Sequence, residues 1–160
     1  MPLIPRLLLP LVAALLFGAA AHAQEAPVLS KGQNLYLPIY SHIWHGNSGR
    51  SGKADMAQLS ALVSIRNVDP AKTLRIQSAK YYDTDGKLLK EFLPAVKVVP
   101  PLGTLELLIE RGESDGGSGA NFIIRWSSEE VMAAPLVQAV HADLYGLKPL
   151  SFVTQAVPTR

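Results

Sequence analysis

Apolar and polar residues alternate with a period of two along most of this chain, in short runs parted by turn-forming residues. The clearest run is QLSALVSIRN, which sets Leu59, Ala61, Val63 and Ile65 on one side against Ser60, Ser64 and Arg66. That is the pattern of a half-buried strand, because successive side chains of extended backbone point to opposite faces. Asn34 to Ile43 repeats it, with Leu35, Leu37 and Ile39 opposed to Tyr36, Pro38 and Tyr40. Pro38 has no N–H to donate, which predicts an edge strand or a bulge there. Thr104 to Glu110 alternates again, with Leu105, Leu107 and Ile109 inward. Leu74–Tyr82 and Leu88–Phe92 flank Asp83-Thr84-Asp85-Gly86-Lys87, an Asp-Gly hairpin signal in which Gly86 takes the positive φ of the turn.

Shorter runs cover Val96–Val99, Asn121–Trp126, Leu136–Leu144 and Ser151–Gln155, and Asn67-Val68-Asp69-Pro70 reads as a turn. After Trp126, the spacing Ser127-x-x-Glu130 predicts the cap of a single helical turn, stopped by Pro135. Turn signals about every 8–12 residues and the lack of a long helical period predict an all-β fold, an antiparallel immunoglobulin-like β-sandwich of about seven to nine strands.

The amino terminus breaks the rhythm. Arg6 precedes an apolar run from Leu7 to Phe17, and small residues follow as far as Ala21-His22-Ala23. This is the pattern of a secretory signal peptide over residues 1–23, cleaved near Ala23-Gln24. Pro10 interrupts the run, and it is shorter than the ~20 residues of a membrane span. The expected organisation is therefore a signal peptide, an N-terminal tail at 24–33, one domain at 34–156, and a C-terminal tail at 157–160. The expected location is the periplasm or the exterior, with no transmembrane segment in the mature chain. Residues 1–23 hold one of the 15 Lys/Arg and none of the 13 acids, so the formal charge falls from +2 to +1 on cleavage. A near-neutral domain offers no basic footprint for nucleic acid. Cysteine is absent, which excludes disulfides, thiol redox chemistry and thiolate metal sites and leaves the core to hold the domain together.

Two of the four histidines, His42 and His45, stand three apart in YSHIWHG, and His141 lies in VQAVHADL with Asp143 on the same face. Three neutral imidazoles and a carboxylate suit zinc or copper(II). On a continuous strand, however, His42 and His45 point to opposite faces, with Cα atoms ~10 Å apart, and share an ion only if the chain bends near Ile43. The competing expectation is that Tyr40, His42 and Trp44 cover a sheet face while His45 caps the strand in solvent. DTDGKLLKEF aligns with part of a calcium loop, yet Tyr81 and Phe92 fall where carboxylates are needed, so the hairpin reading prevails.

Arg111 to Ala120 reads as a mobile glycine-rich loop whose last residues, Gly119 and Asn121, take special backbone angles. Its Gly116-Gly117-Ser118-Gly119-Ala120 nearly spells a nucleophile elbow, but the serine precedes a strand where the elbow requires a helix. Consecutive N–H groups there could also meet an anion. Trp44, Gly117, Ser118, Gly119 and Asn121 are thus candidate ligand-binding residues, and Tyr36, Tyr40, Trp44, Tyr81 and Tyr82 form either a stacking platform for a glycan or peptide or cross-strand packing. No catalytic set assembles from the sequence.

The strings LYLPIYSHIWHG, LVSIRNVDP, YYDTDGKLL and GGSGANFIIRW resemble, in this order, a family of exported bacterial proteins catalogued as a domain of unknown function. The match spans roughly Gly32 to Phe152; His42 and His45 belong to the family-like strings, while His141 has no counterpart in them. The resemblance implies an exported, β-rich protein and carries over no activity, ligand or residue role. The expected function is a non-enzymatic binding or structural accessory module without a cofactor, whose partner is an envelope protein or a glycan. The alternative is a periplasmic zinc or copper binder using His42, His45 and His141, and a hydrolase built on Ser118 is a third.

Overall fold

The computed structural model describes residues 29–50, 52–145 and 147–159. Residues 1–23, read from the sequence as a signal peptide, and the start of the following tail lie outside the described residues. Among those described, every regular element is a strand, and no helix is long and apolar enough to cross a membrane. The strands are β1 (Leu29–Pro38), β2 (His42–His45), β3 (Asp55–Gln58), β4 (Ser60–Arg66), β5 (Leu74–Tyr82), β6 (Leu88–Glu91), β7 (Lys97–Val99), β8 (Thr104–Ile109), β9 (Asn121–Ala133), β10 (Leu136–Asp143), β11 (Leu150–Gln155) and β12 (Val157–Pro158).

All pairings are antiparallel. One sheet runs β12-β1-β9-β5-β6, with β7 also on β5; a second runs β11-β10-β4-β8; β2 and β3 form a separate ribbon. The alternation seen in the sequence decides what is buried. Leu35, Leu37, Ile76, Phe122, Ile124 and Trp126 from the first sheet join Ala61, Val63, Ile65, Leu107, Ile109 and Ala139 from the second in one buried cluster. Each large side chain buried this way contributes about 1.5–3 kcal/mol.

Several local expectations change. There are twelve described strands, because the ribbon and the very short β7 and β12 add to the periodic runs. The run Asn34–Ile43 is split: β1 ends at Pro38 and β2 starts at His42. Leu29–Gln33, read as tail, extends β1, since the partner strand β9 is long enough to pair with Leu29 at Ala133 and Ser30 at Met132. Val157–Pro158, also read as tail, pairs with Leu35 and Tyr36. Pro38 is tolerated because β12 reaches only those two residues, so no ladder partner waits for a Pro38 N–H on that side. The helical turn expected at Ser127–Glu130 is absent: β9 runs on to Ala133, its residues 128–131 bulging out of the β1 register opposite Ser30/Gly32 before pairing resumes at Met132 and Ala133. Pairing with β1 on both sides of the bulge keeps the segment extended against its local capping preference.

The turns follow their side chains. Asp83 Oδ1 accepts from the N–H groups of Asp85 (3.0 Å) and Lys87 (2.8 Å), and Gly86 sits at φ 81°. Buried Asn67 fastens the β4–β5 connection to the β7–β8 connection, its Nδ2 donating to the carbonyls of Lys72 (2.8 Å), Val99 (3.3 Å) and Pro100 (3.0 Å). Asn67→Ala leaves these acceptors without their donor and should lower unfolding stability by about 2 kcal/mol, as buried unsatisfied groups do. Urea denaturation measures this, and a loss below ~0.5 kcal/mol would show that water replaces the side chain.

Candidate functional site

The segment Ile39–Ser41, between β1 and β2, is where the sequence candidates meet. Extended backbone turns successive N–H groups to opposite sides, and here each side finds a different partner. Ile39 N–H donates to Ala120 O (2.8 Å) and Ser41 N–H to Gly117 O (3.1 Å). The Tyr40 N–H donates the other way, to Nε2 of His141 (3.1 Å). Ser41 is buried, and its hydroxyl also donates to Gly117 O (2.9 Å), while its carbonyl accepts from Leu59 N–H (2.9 Å). One three-residue stretch thus ties the glycine loop to the second sheet.

His141 is fully buried in β10. Its ring stacks on Phe152 (4.7 Å between centroids, 7° between planes), and Tyr40 meets it edge-on at 5.7 Å. Burial pulls its pKa down to about 4, with a smaller opposing contribution from the Ala139 backbone. The imidazole is therefore neutral at pH 7, with Nε2 as acceptor and the proton on Nδ1. Both the lone pair and the space around it are already used.

The glycine loop is held, not free. Glu113 Oε1 accepts from Gly116 N–H (3.0 Å) and Glu113 Oε2 from the Tyr81 hydroxyl (2.7 Å). Thr84 clamps the other side: its N–H and Oγ1 both donate to Gly116 O at 3.0 Å, and Oγ1 accepts from Gly119 N–H at 3.0 Å. Gly117, at φ 76°, is the residue with the special backbone angle, and neither Gly119 nor Asn121 has a positive φ. Asn121 is an ordinary ladder residue between Pro38 and Tyr82. The expectation of a mobile connection fails because the loop packs against the β5–β6 hairpin. Burial, then the bond to Glu113, pushes the Tyr81 phenol well above its ordinary range, so it stays a neutral donor. Ser118 is half-buried and forms no side-chain hydrogen bond among the described residues, so no histidine is in place to activate it.

Beyond Ser41 the chain forms the ribbon. His42 pairs with Gln58, Ile43 with Ala57, Trp44 with Met56 and His45 with Asp55. The regular alternation puts His42 and Trp44 on one face, ring centroids 5.3 Å apart and nearly perpendicular, and His45 on the other. His141 is buried against Tyr40 and Phe152 instead. The structure brings YSHIWHG, the glycine loop and His141 together through backbone bonds of Tyr40 and Ser41, and it does not bring the three imidazoles together. Among the described residues no group of three His, Asp or Glu is arranged to hold a metal ion.

What the ribbon does present is surface. Trp44 is 57% exposed and Met56 46%. A cleft of about 730 Å³ is lined by Ile43 and His45 of β2, by Met56–Gln58 of β3, and by Arg111, Asp143 and Lys148. Arg111 Nε donates to Asp143 Oδ1 (3.1 Å) and its guanidinium lies 4.9 Å from the centre of the Tyr145 ring. Sequence reasoning missed Ser41, Thr84, Glu113 and Arg111. The first three are single residues in irregular segments with no pattern of their own, and Arg111–Asp143 joins positions 32 apart.

No curated protein matches this chain. Among solved structures, one described as "Crystal Structure of Thermotoga maritima 1070" is similar at 13% identity and a TM-score of 0.41, covering 78% of this chain and 92% of that one. Residues 32–159 match the family described as "Protein of unknown function (DUF3124)", and with nearly the whole described chain inside that match, the chain belongs to the DUF3124 family.

Proposed function

We propose that the chain is an exported, non-enzymatic binding module of the cell envelope, an immunoglobulin-like sandwich that presents the β2–β3 ribbon to a glycan. The observation that carries this reading is Trp44: a large aromatic face left in solvent on a ribbon outside both main sheets, with its indole steadied by His42. Aromatic faces on rigid elements supply contact area at little entropic cost. Met56 and Gln58, the cross-strand partners of Trp44 and His42, share that face, and the Gln58 amide would supply hydrogen bonds to hydroxyl groups. The other candidate chemistry gives less. Nε2 of His141 is committed to the Tyr40 amide, and Ser118 lacks a base. A zinc or copper site over His42, His45 and His141 draws no support from this geometry.

Trp44 and Trp126 are the only tryptophans, and Trp126 is buried, which makes the test direct. Titration with soluble peptidoglycan fragments should blue-shift the emission of the exposed indole and protect it from iodide quenching. Trp44→Ala should remove the response and weaken binding at least about 10-fold, the ~1–3 kcal/mol of a stacked ring. Emission unchanged to millimolar fragment would sink the reading.

A further inference from the structure

The outer face of the β11-β10-β4-β8 sheet carries a row of apolar residues that the fold does not use. Leu108 is the cross-strand partner of Leu62, Leu62 of Val140, and Val140 of Val153. The row therefore crosses all four strands without a gap. All four side chains are in solvent, at 55%, 37%, 44% and 55% exposure. Isolated apolar residues on a surface need no explanation, but a contiguous stripe does. The rows on either side are polar or small, with Glu106 in one and Glu110 just past the end of β8 beside the other. Glu106, Ser64, Gln138 and Gln155 make one, and Ser60, Ala142 and Ser151 the other.

We propose that this face is the interface of a two-fold homodimer, with the stripe of one chain laid along the stripe of its partner. A two-fold interface must be complementary to itself, and the residues select one orientation. With the axis in the interface plane and parallel to the strands, β8 of each chain lies over β11 of the other. Leu108 then meets Val153, Leu62 meets Val140, and Glu106 meets the neutral amide of Gln155. With the axis along the stripe, β8 would lie over β8 and set Glu106 against Glu110, two carboxylates desolvated together. The first arrangement avoids that penalty. Aligned packing of twisted sheets at about 30° suits it. Four strands ~4.8 Å apart and seven residues long project a face of roughly 450 Å². This is below the ~800 Å² per partner of a standard complex, so the dimer is a weak one, with a dissociation constant in the micromolar range or above.

Sedimentation velocity of the purified chain from about 1 µM to 1 mM should show reversible monomer–dimer exchange. Leu62→Glu and Val140→Lys each place a charge at the centre of the stripe and should weaken self-association at least tenfold. Both positions already face solvent, so circular dichroism and thermal unfolding should match the parent. Mixing the two variants should restore dimers as a heterodimer, because Leu62 of one chain faces Val140 of the other in this orientation and in no like-on-like one. If either charged variant fails to fold, Leu108→Ser and Val153→Thr test the same stripe at its more exposed ends. A chain that stays monomeric at 1 mM overturns the proposal, as does a dimer indifferent to all four substitutions. Dimers that Leu62→Glu breaks but the mixture does not restore overturn the orientation.

Discussion

Gly116→Ala should destabilise the domain by about 3 kcal/mol, the upper end of overpacking effects, and lower its melting temperature by roughly 10 °C. A Cβ on Gly116 would overlap the Tyr81 hydroxyl oxygen and stand 2.8 Å from the ring carbon that bears it. Tyr81 cannot step aside. Its ring packs against Phe122 at 5.1 Å and Phe92 at 6.2 Å, and its hydroxyl is bonded to Glu113, which in turn holds the Gly116 N–H. One methyl group therefore opposes the aromatic cluster and both bonds of Glu113 at once. Gly112→Ala is the control in the same loop, because nothing lies within 4 Å of a Cβ there, and it should change stability by less than ~0.5 kcal/mol. The origin of the effect is separable by a double-mutant cycle. In a Tyr81→Phe background the nearest atom is gone, so Gly116→Ala should cost distinctly less than in the parent. Additivity within ~0.5 kcal/mol would show that the clash is not with Tyr81.

That loop marks the boundary of what the sequence discloses. Strands β4, β5 and β8 are legible because period-two alternation depends on the chain's own neighbours: Leu59, Ala61, Val63 and Ile65 are all fully buried, as their spacing requires. The Asp83–Lys87 hairpin is legible for the same reason, since one aspartate and one glycine fix it locally. The glycine loop is not. RGESDGGSGA has the composition of a mobile linker, and only the arrival of Tyr81 and Thr84 from another hairpin makes its glycines a packing requirement. The continuation of β9 past Ser127 was hidden likewise, because the distant pairing of Met132 and Ala133 with Ser30 and Leu29, not the local residues, decides it. In YSHIWHG the sequence correctly signals that the histidines part ways. It does not signal that Tyr40 and Ser41, the two residues before them, make the bonds that join the sheets.

The second large effect is one of pH. Lowering the pH from 7 to 4.5 should remove about 2–3 kcal/mol of stability through His141 alone. The folded pKa is depressed to about 4 by burial, whereas the unfolded chain titrates near the ordinary ~6.5. Above pH 6.5 both states are neutral and the contribution is complete. Between 6.5 and 4 the unfolded chain binds a proton that the native state refuses, so stability falls steadily as the pH falls through that window. The structural reason is visible in the site. An imidazolium could no longer accept from the Tyr40 N–H, and the rings that enclose it, Phe152 and Tyr40, bring no carboxylate to compensate. Urea unfolding of the parent and of His141→Phe at pH 7.0 and 4.5 isolates the term. The variant should start about 1–2 kcal/mol lower at pH 7, because it leaves the buried Tyr40 amide without an acceptor. It should also lose less on acidification than the parent, by about the amount His141 contributed. Equal losses in the two proteins would mean that His141 is protonated in the native state after all, and that the bond joining Tyr40 to the second sheet is not what sets its neutral form.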